Sequence, residues 1–234
     1  MAAKNKFMNA MKMPAIADMF SSEADRQRES GDLVTEVPLS ELHPFVNHPF
    51  EVRDDEDMQK LVDSIKENGV LTNLTVRPRG YEIISGHRRF HAAQLAGLDK
   101  IKVQVRDVDD DQAIIDMVDA NIQREHISPM EKARALKMKN EAMKRSAGRR
   151  KENGCQLDTH FPEAKTATQI GADVGESPKQ IFRYIRLNEL IPELQKKVDS
   201  NTLKFNPAVE LSYLTPDEQQ SFLDYAEAQD CTPS

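Results

Sequence analysis

No run of apolar residues approaches the roughly 20 that a membrane-spanning helix needs, so the chain is not expected to cross a bilayer. Cysteine is scarce. Cys155 and Cys231 lie far apart in polar, loop-like sequence, which argues against a disulfide framework and a cysteine-type zinc site and fits a reducing cytoplasm. The opening MAAKNKFMNAMKMPAIADMF lacks the unbroken apolar core of an export signal, with Asn9 and Pro14 interrupting it. Internal repeats and extended low-complexity tracts are also missing. Positive charge is in deficit overall, at a net charge of −7, and this argues against a non-specific nucleic-acid coat protein.

What is there fits two ordinary domains in 234 residues, with 38% hydrophobic and 30% charged residues marking modest soluble cores. Residues 1–33 combine a short amphipathic stretch (Phe7, Met11, Ile16, Met19, Phe20) with a polar run, too little for a core of their own, and read as a flexible tail. The tail could dock on a partner, lie at a membrane surface or simply be a disordered leader. From Val34 the pattern is mixed. VTEVPL reads as a strand, and Asp54 as the cap of a helix carrying Met58, Leu61, Val62 and Ile65 and stopped by Gly69. LTVRP and YEIIS read as strands around an Arg79-Gly80 turn, HRRFHAAQLAG as a helix, and KIKVQVRDV as a half-buried strand with Val103 and Val105 on one face. Residues 34–125 are thus expected to form an α+β domain.

Beyond Asp109 every periodic segment is helical, and residues 126–234 read as a second, all-α domain. Ser128-Pro129-Met130-Glu131 is a capping box with proline at the first helical position, opening a helix expected to end near Arg145, and Thr215-Pro216-Asp217-Glu218 repeats the device. The polar SAGRRKENGCQLDTHFPEAKT that follows reads as a flexible loop. A last helix near Pro216–Ala228 is followed by no stop signal, as in a native end or a truncated chain.

Three motifs carry chemistry. In TATQIGADVGESPKQIFRYIRLNEL, spanning a helix-turn-helix near 168–187, Ile170 and Val174 face Ile181 and Ile185, Gly175 makes the turn, Gly171 permits close helix crossing and Ser177 caps the second helix. Lys179, Gln180 and Arg183 point outward and are types that donate to base edges and phosphates. An αα-hairpin without a DNA role has the same pattern. A basic band from Lys132 to Lys151, including Lys144, Arg145, Arg149 and Arg150 and opposed only by Glu141, suits a phosphate backbone, though a solvated helix face explains the charge alone. The second motif is the strand-to-helix turn Gly86-His87-Arg88-Arg89. Glycine lets the backbone approach, a helix N-terminus presents unpaired N–H groups, and arginines add charge, so an anion fits; arginines paired with Glu82 or an aspartate are the alternative. The third, Asn121-Ile122-Gln123-Arg124, stands just before the capping box and by itself reads as a linker.

The order of IISGHRRFHAAQLAG, NIQREHISPMEKA and the helix-turn-helix with FNPAVELSYL behind it resembles the ParB family of plasmid and chromosome partition proteins, including nucleoid-occlusion relatives, over residues 34–225. The resemblance implies a ParB/sulfiredoxin-like α+β fold. It implies CTP held by Gly86, His87, Arg88, Arg89, Asn121, Gln123 and Arg124, with Arg53 of PFEVR matching the family's PFQPR-like arginine. It further implies a magnesium ion, with Asn121 as the remaining metal contact, closure of a nucleotide-gated clamp, and binding of a palindromic duplex at Ser177, Lys179, Gln180 and Arg183 by a homodimer. A ParA-type ATPase as partner and a nucleoid-associated cytoplasmic location follow from the same resemblance.

Two positions depart from the family pattern. His87 stands where a glutamate is usual, and Ala120 where a magnesium-coordinating glutamate is expected; a methyl group cannot ligate a hard cation. Weak CTP hydrolysis at most is expected, and no catalytic residue is assigned. Two other functions compete. A transcriptional regulator that has lost the nucleotide switch would account for Ala120. A nucleotide-dependent enzyme of the same fold would need, for sulfiredoxin chemistry, a cysteine where this turn has Ser85-Gly86-His87.

Overall fold

A computed structural model describes residues 33–124, 127–151 and 162–229, with the backbone alone at 33, 149–151 and 162–165. The tail, both cysteines and the side chains of Arg149 and Arg150 therefore lie outside the described residues. Strand β1 (Leu33–Pro38) is followed by helix α1 (Glu56–Asn68), the hairpin β2 (Leu74–Arg77) and β3 (Glu82–Ser85), helix α2 (His87–Leu95) and strand β4 (Lys100–Val105). The sheet order is β1-β4-β2-β3, with β2 and β4 parallel and the outer pairs antiparallel. Valine- and isoleucine-rich strands suit a sheet face covered by helices: Val76, Ile83, Ile101 and Val103 pack with Phe90 of α2, while Met58, Val62 and Ile65 of α1 pack on Ala92. In β4 Val103 and Val105 share one face as expected, Val103 buried with Ile101 and Val105 half-buried beside them.

The helices that follow are α3 (Asp110–Asp119), α4 (Pro129–Lys151), α5 (Pro162–Val174), α6 (Pro178–Arg186), α7 (Pro192–Asp199), α8 (Phe205–Leu211) and α9 (Pro216–Ala228). Both expected capping boxes form. Ser128 Oγ accepts from the Glu131 amide while Glu131 Oε2 accepts from the Ser128 amide, and Thr215 and Glu218 exchange the same pair.

Two boundaries differ from the sequence expectation. Asp55, not Asp54, caps α1, its side chain accepting from the Met58 amide at 2.8 Å, while Asp54 reaches His91 at 2.7 Å. Residues 146–151 continue α4 and residues 162–166 belong to α5, so much of the expected loop is helical; alanine, arginine and lysine propagate a helix well and Gly148 alone does not stop it. One hydrophobic cluster joins Phe45, Phe50, Ile84, Met117 and Val118 to Leu136, Ile170 and Ile181, and so runs across the position expected to divide the domains.

Candidate functional site

The turn from β3 into α2 depends on Gly86. Its φ of +105° lies where side chains are strained, and a Cβ there would stand 2.9 Å from Leu74 Cγ. The next residues diverge. Arg88 turns to the rim of a cavity of about 360 Å³ that Arg53 and Arg124 also line, together with Glu51, Asp55 and Glu131. Arg89 turns the other way, and its Nη1 donates to the carbonyls of Thr72 at 2.6 Å and Asn73 at 2.8 Å. Arg89 thus ties the α1–β2 connection to α2 and is partly committed to structure, which adjacency in the sequence does not reveal.

Carboxylates flank two of the rim arginines. Arg88 Nη2 lies 3.3 Å from Asp55 Oδ1, and Arg53 lies 3.4 Å from Glu51 and 3.9 Å from Glu131. Glu131 is buried and does double duty: its Oε1 accepts from the Glu51 amide at 2.8 Å while its other oxygen closes the capping box of α4. The capping box was legible in the sequence; its place beside the cavity was not. Partial burial, then Arg88 and more weakly Arg89, hold the Arg124 pKa below the usual guanidinium value, with Glu131 opposing. Burial likewise lowers that of Arg89. Guanidinium groups stay charged under any ordinary condition, so burial is the main cost of the charge at Arg124, and the smaller repulsion from Arg88 and Arg89 is the part that an anion would relieve.

His87 is buried behind this turn. Its Nε2 accepts from the Phe45 amide at 3.2 Å, and its ring lies 3.8 Å from that of His48. It anchors the loop before Arg53 and does not line the cavity. Asn121 is also buried, and its amide donates to the Met117 carbonyl at 2.7 Å, capping α3 from within; Gln123 is exposed. The implied magnesium ion does not fit these residues. Ala120 offers no donor, Asn121 is turned into the helix, and Asp119 is taken by Lys139 at 2.6 Å. Among the described residues no group of three histidine, cysteine or acidic side chains converges on a metal position.

The second region is the helix-turn-helix of α5 and α6. Ile170 and Ile181 are fully buried against each other's helices, with Val174 and Ile185 packed beside them. Gly175 takes φ +75°, and the Glu176 amide donates to the Gly171 carbonyl at 2.9 Å, the long bond of a Schellman turn. Ser177 Oγ accepts from the Gln180 amide and starts α6. Lys179 is exposed, and Gln180 and Arg183 are half-buried on the same face.

The basic band behaves differently. Helix α4 packs against α3, α5 and α6, and its cations meet acids of this chain: Lys132 with Glu176, Lys137 with Glu189, Arg145 with buried Asp111, and Lys139, only 1% exposed, with Asp119 and Asp173. Lys144 is half-buried on that helix. Residue spacing gave the charge of the helix but not the direction in which it is spent.

The fold of a four-stranded sheet with this turn, followed by a helical segment, is that of ParB N-terminal regions. A Pnob8-like ParB-N domain is similar at a TM-score of 0.55, with 17% identity over 84% of each chain. The model of the ParB N-terminal domain matches residues 23–122. A probable chromosome-partitioning protein ParB from Neisseria meningitidis is 40% identical over 193 residues, 81% of this chain and 60% of that protein. The chromosome-partitioning protein Spo0J of Thermus thermophilus is 28% identical over 82% of this chain and 64% of its own length. The chain belongs to the ParB family, and it spans less than two thirds of the length of these curated relatives. Among the described residues no helix is long and apolar enough to cross a membrane.

Proposed function

We propose that the protein is a DNA-binding partition protein that senses CTP at the cavity of Arg53, Arg88 and Arg124 and reads a palindromic duplex through α6. The single observation carrying the nucleotide reading is the convergence of these guanidinium groups, with Arg89 behind them, beside the N-terminus of α2, where helix N–H groups and fixed positive charge favour a phosphate chain. The relatives' names, chromosome-partitioning proteins, support the biological role. Residues 34–125 carry the nucleotide and 126–234 the duplex, with Lys179, Gln180 and Arg183 toward the bases and Lys144, Arg145, Arg149 and Arg150 toward phosphates, Arg145 after release from Asp111. A two-fold site calls for a homodimer; a ParA-type ATPase is the partner, and the nucleoid is the location.

Titration calorimetry with CTP tests this on the full chain. Saturable binding is expected, lost in Arg88→Ala, and reduced at least tenfold in Arg124→Ala, the size of one charge-assisted contact of roughly 1.5–3 kcal/mol. A second reading is favoured by one observation, that neither Ala120 nor Asp119 is placed to serve a metal. It is a transcriptional regulator that keeps the DNA reader without the switch. CTP heats that stay at the dilution value, alongside intact duplex binding, would establish that reading instead.

A further inference from the structure

The guanidinium of Arg183 is held from outside its own helix. Its Nη2 donates to Asn206 Oδ1 at 2.5 Å, and its Nη1 to Gln180 Oε1 at 3.3 Å. Its Cζ lies 5.1 Å from the centre of the Phe205 ring, which packs on Tyr184 at 4.8 Å. Phe205 and Asn206 are the first residues of α8, so an element beyond the helix-turn-helix reaches back to its outward face. Resting on the DNA-reading function proposed above, we propose that Asn206 is a positioning residue for sequence readout: it fixes the plane of the Arg183 guanidinium and thereby selects the base edge that α6 reads.

An arginine reads guanine with two parallel donors in a rigid fork, and this requires one orientation of a side chain that otherwise samples many. Two hydrogen bonds and an aromatic face give Arg183 that single orientation, and among the described residues they use two of its five donors. Asn206 itself is exposed. A hydrogen bond between water-accessible side chains adds little to folding, since water replaces it at small cost. The bond is therefore poorly explained as a stabilising contact and well explained as preorganisation, which reduces the entropy lost when the duplex docks.

The test uses the full chain and a library of duplexes with a randomised centre, from which the wild-type protein selects its own site. The selected duplex and its single-base variants are then titrated with wild type, Arg183→Ala, Asn206→Ala and the double variant. Arg183→Ala is expected to reduce discrimination at one base position per half-site by about 10- to 100-fold, and Asn206→Ala at the same position by about 3- to 10-fold. The double variant should match Arg183→Ala alone, because Asn206 acts through that guanidinium. Thermal midpoints should stay unchanged. Preserved discrimination in Asn206→Ala, or equal weakening on every duplex, or additive losses in the double variant, would overturn the role of Asn206 while leaving DNA reading intact. A wild-type protein that enriches no sequence would overturn both readings, and the failure would then be visible before any variant is made.

Discussion

At position 87 an imidazole occupies a place that suits it only when neutral. Nε2 accepts a hydrogen bond from the Phe45 amide, so it carries a lone pair, and the ring proton resides on Nδ1, which is buried without a hydrogen-bond partner among the described residues. His48 stacks against it and donates its own Nδ1–H to the Phe50 carbonyl at 2.7 Å. Burial first, then His48 and Arg124, lower the His87 pKa from 6.5 to about 3, and burial also lowers that of His48. With a folded pKa below the unfolded one, the unfolded chain takes up the proton first. The stabilisation is fully present above pH 6.5 and is lost as pH falls from there toward 3, at up to about 1.4 kcal/mol per pH unit for one such group. Urea unfolding midpoints measured at pH 7 and pH 5 should therefore fall more steeply for wild type than for His87→Gln, whose amide oxygen still accepts from Phe45. Equal slopes would show that His87 is not held neutral.

The helix-turn-helix shows how one atom governs an element. A Cβ built on Gly171 would lie 2.5 Å from the Glu176 carbonyl oxygen, which is backbone and cannot swing aside. Gly171→Ala should lower stability by about 1–3 kcal/mol as the turn is pushed open, in spite of alanine's better helix propensity. Gly148→Ala in α4, where an added Cβ would meet nothing within 4 Å beyond its own helix backbone and chain neighbours among the described residues, should instead raise it by up to about 1 kcal/mol. Thermal unfolding of the two variants separates these effects, and a Gly171→Ala protein as stable as wild type would dismiss the close crossing. This element was readable in the sequence because its determinants are local: a small residue, a left-handed glycine and a serine cap within eight positions. The same holds for the Gly86 turn and both capping boxes. Charge direction was not readable. Lys139 finds Asp119 and Asp173 twenty and thirty-four positions away, Arg89 finds carbonyls of the α1–β2 connection, and Asn206 finds Arg183, all through tertiary placement that periodicity does not encode.

Across the whole molecule, Lys139 is where the candidate nucleotide region and the DNA-reading element meet. Its ammonium sits between the last residue of α3, two positions before Asn121, and Asp173 in the first helix of the helix-turn-helix, at 2.6 and 2.8 Å. The hydrophobic cluster around Leu136 spans the same junction, so the two halves share a core as well as a charge. The burden is unequal, because the lysine is 1% exposed while the aspartates keep about 45% of their side chains in water. Lys139→Met removes the buried charge, fills its volume and leaves two hydrated carboxylates, so it should cost less than about 1.5 kcal/mol. Replacing both partners, Asp119→Asn with Asp173→Asn, leaves the ammonium buried without a counter-charge and should cost about 3 kcal/mol or more. Urea titration at pH 7 measures both. If the methionine variant proves the less stable of the two, the junction is held by the ion pairs themselves; if the paired asparagines do, the aspartates serve to make a buried lysine tolerable, and the packing around Leu136 holds the halves together.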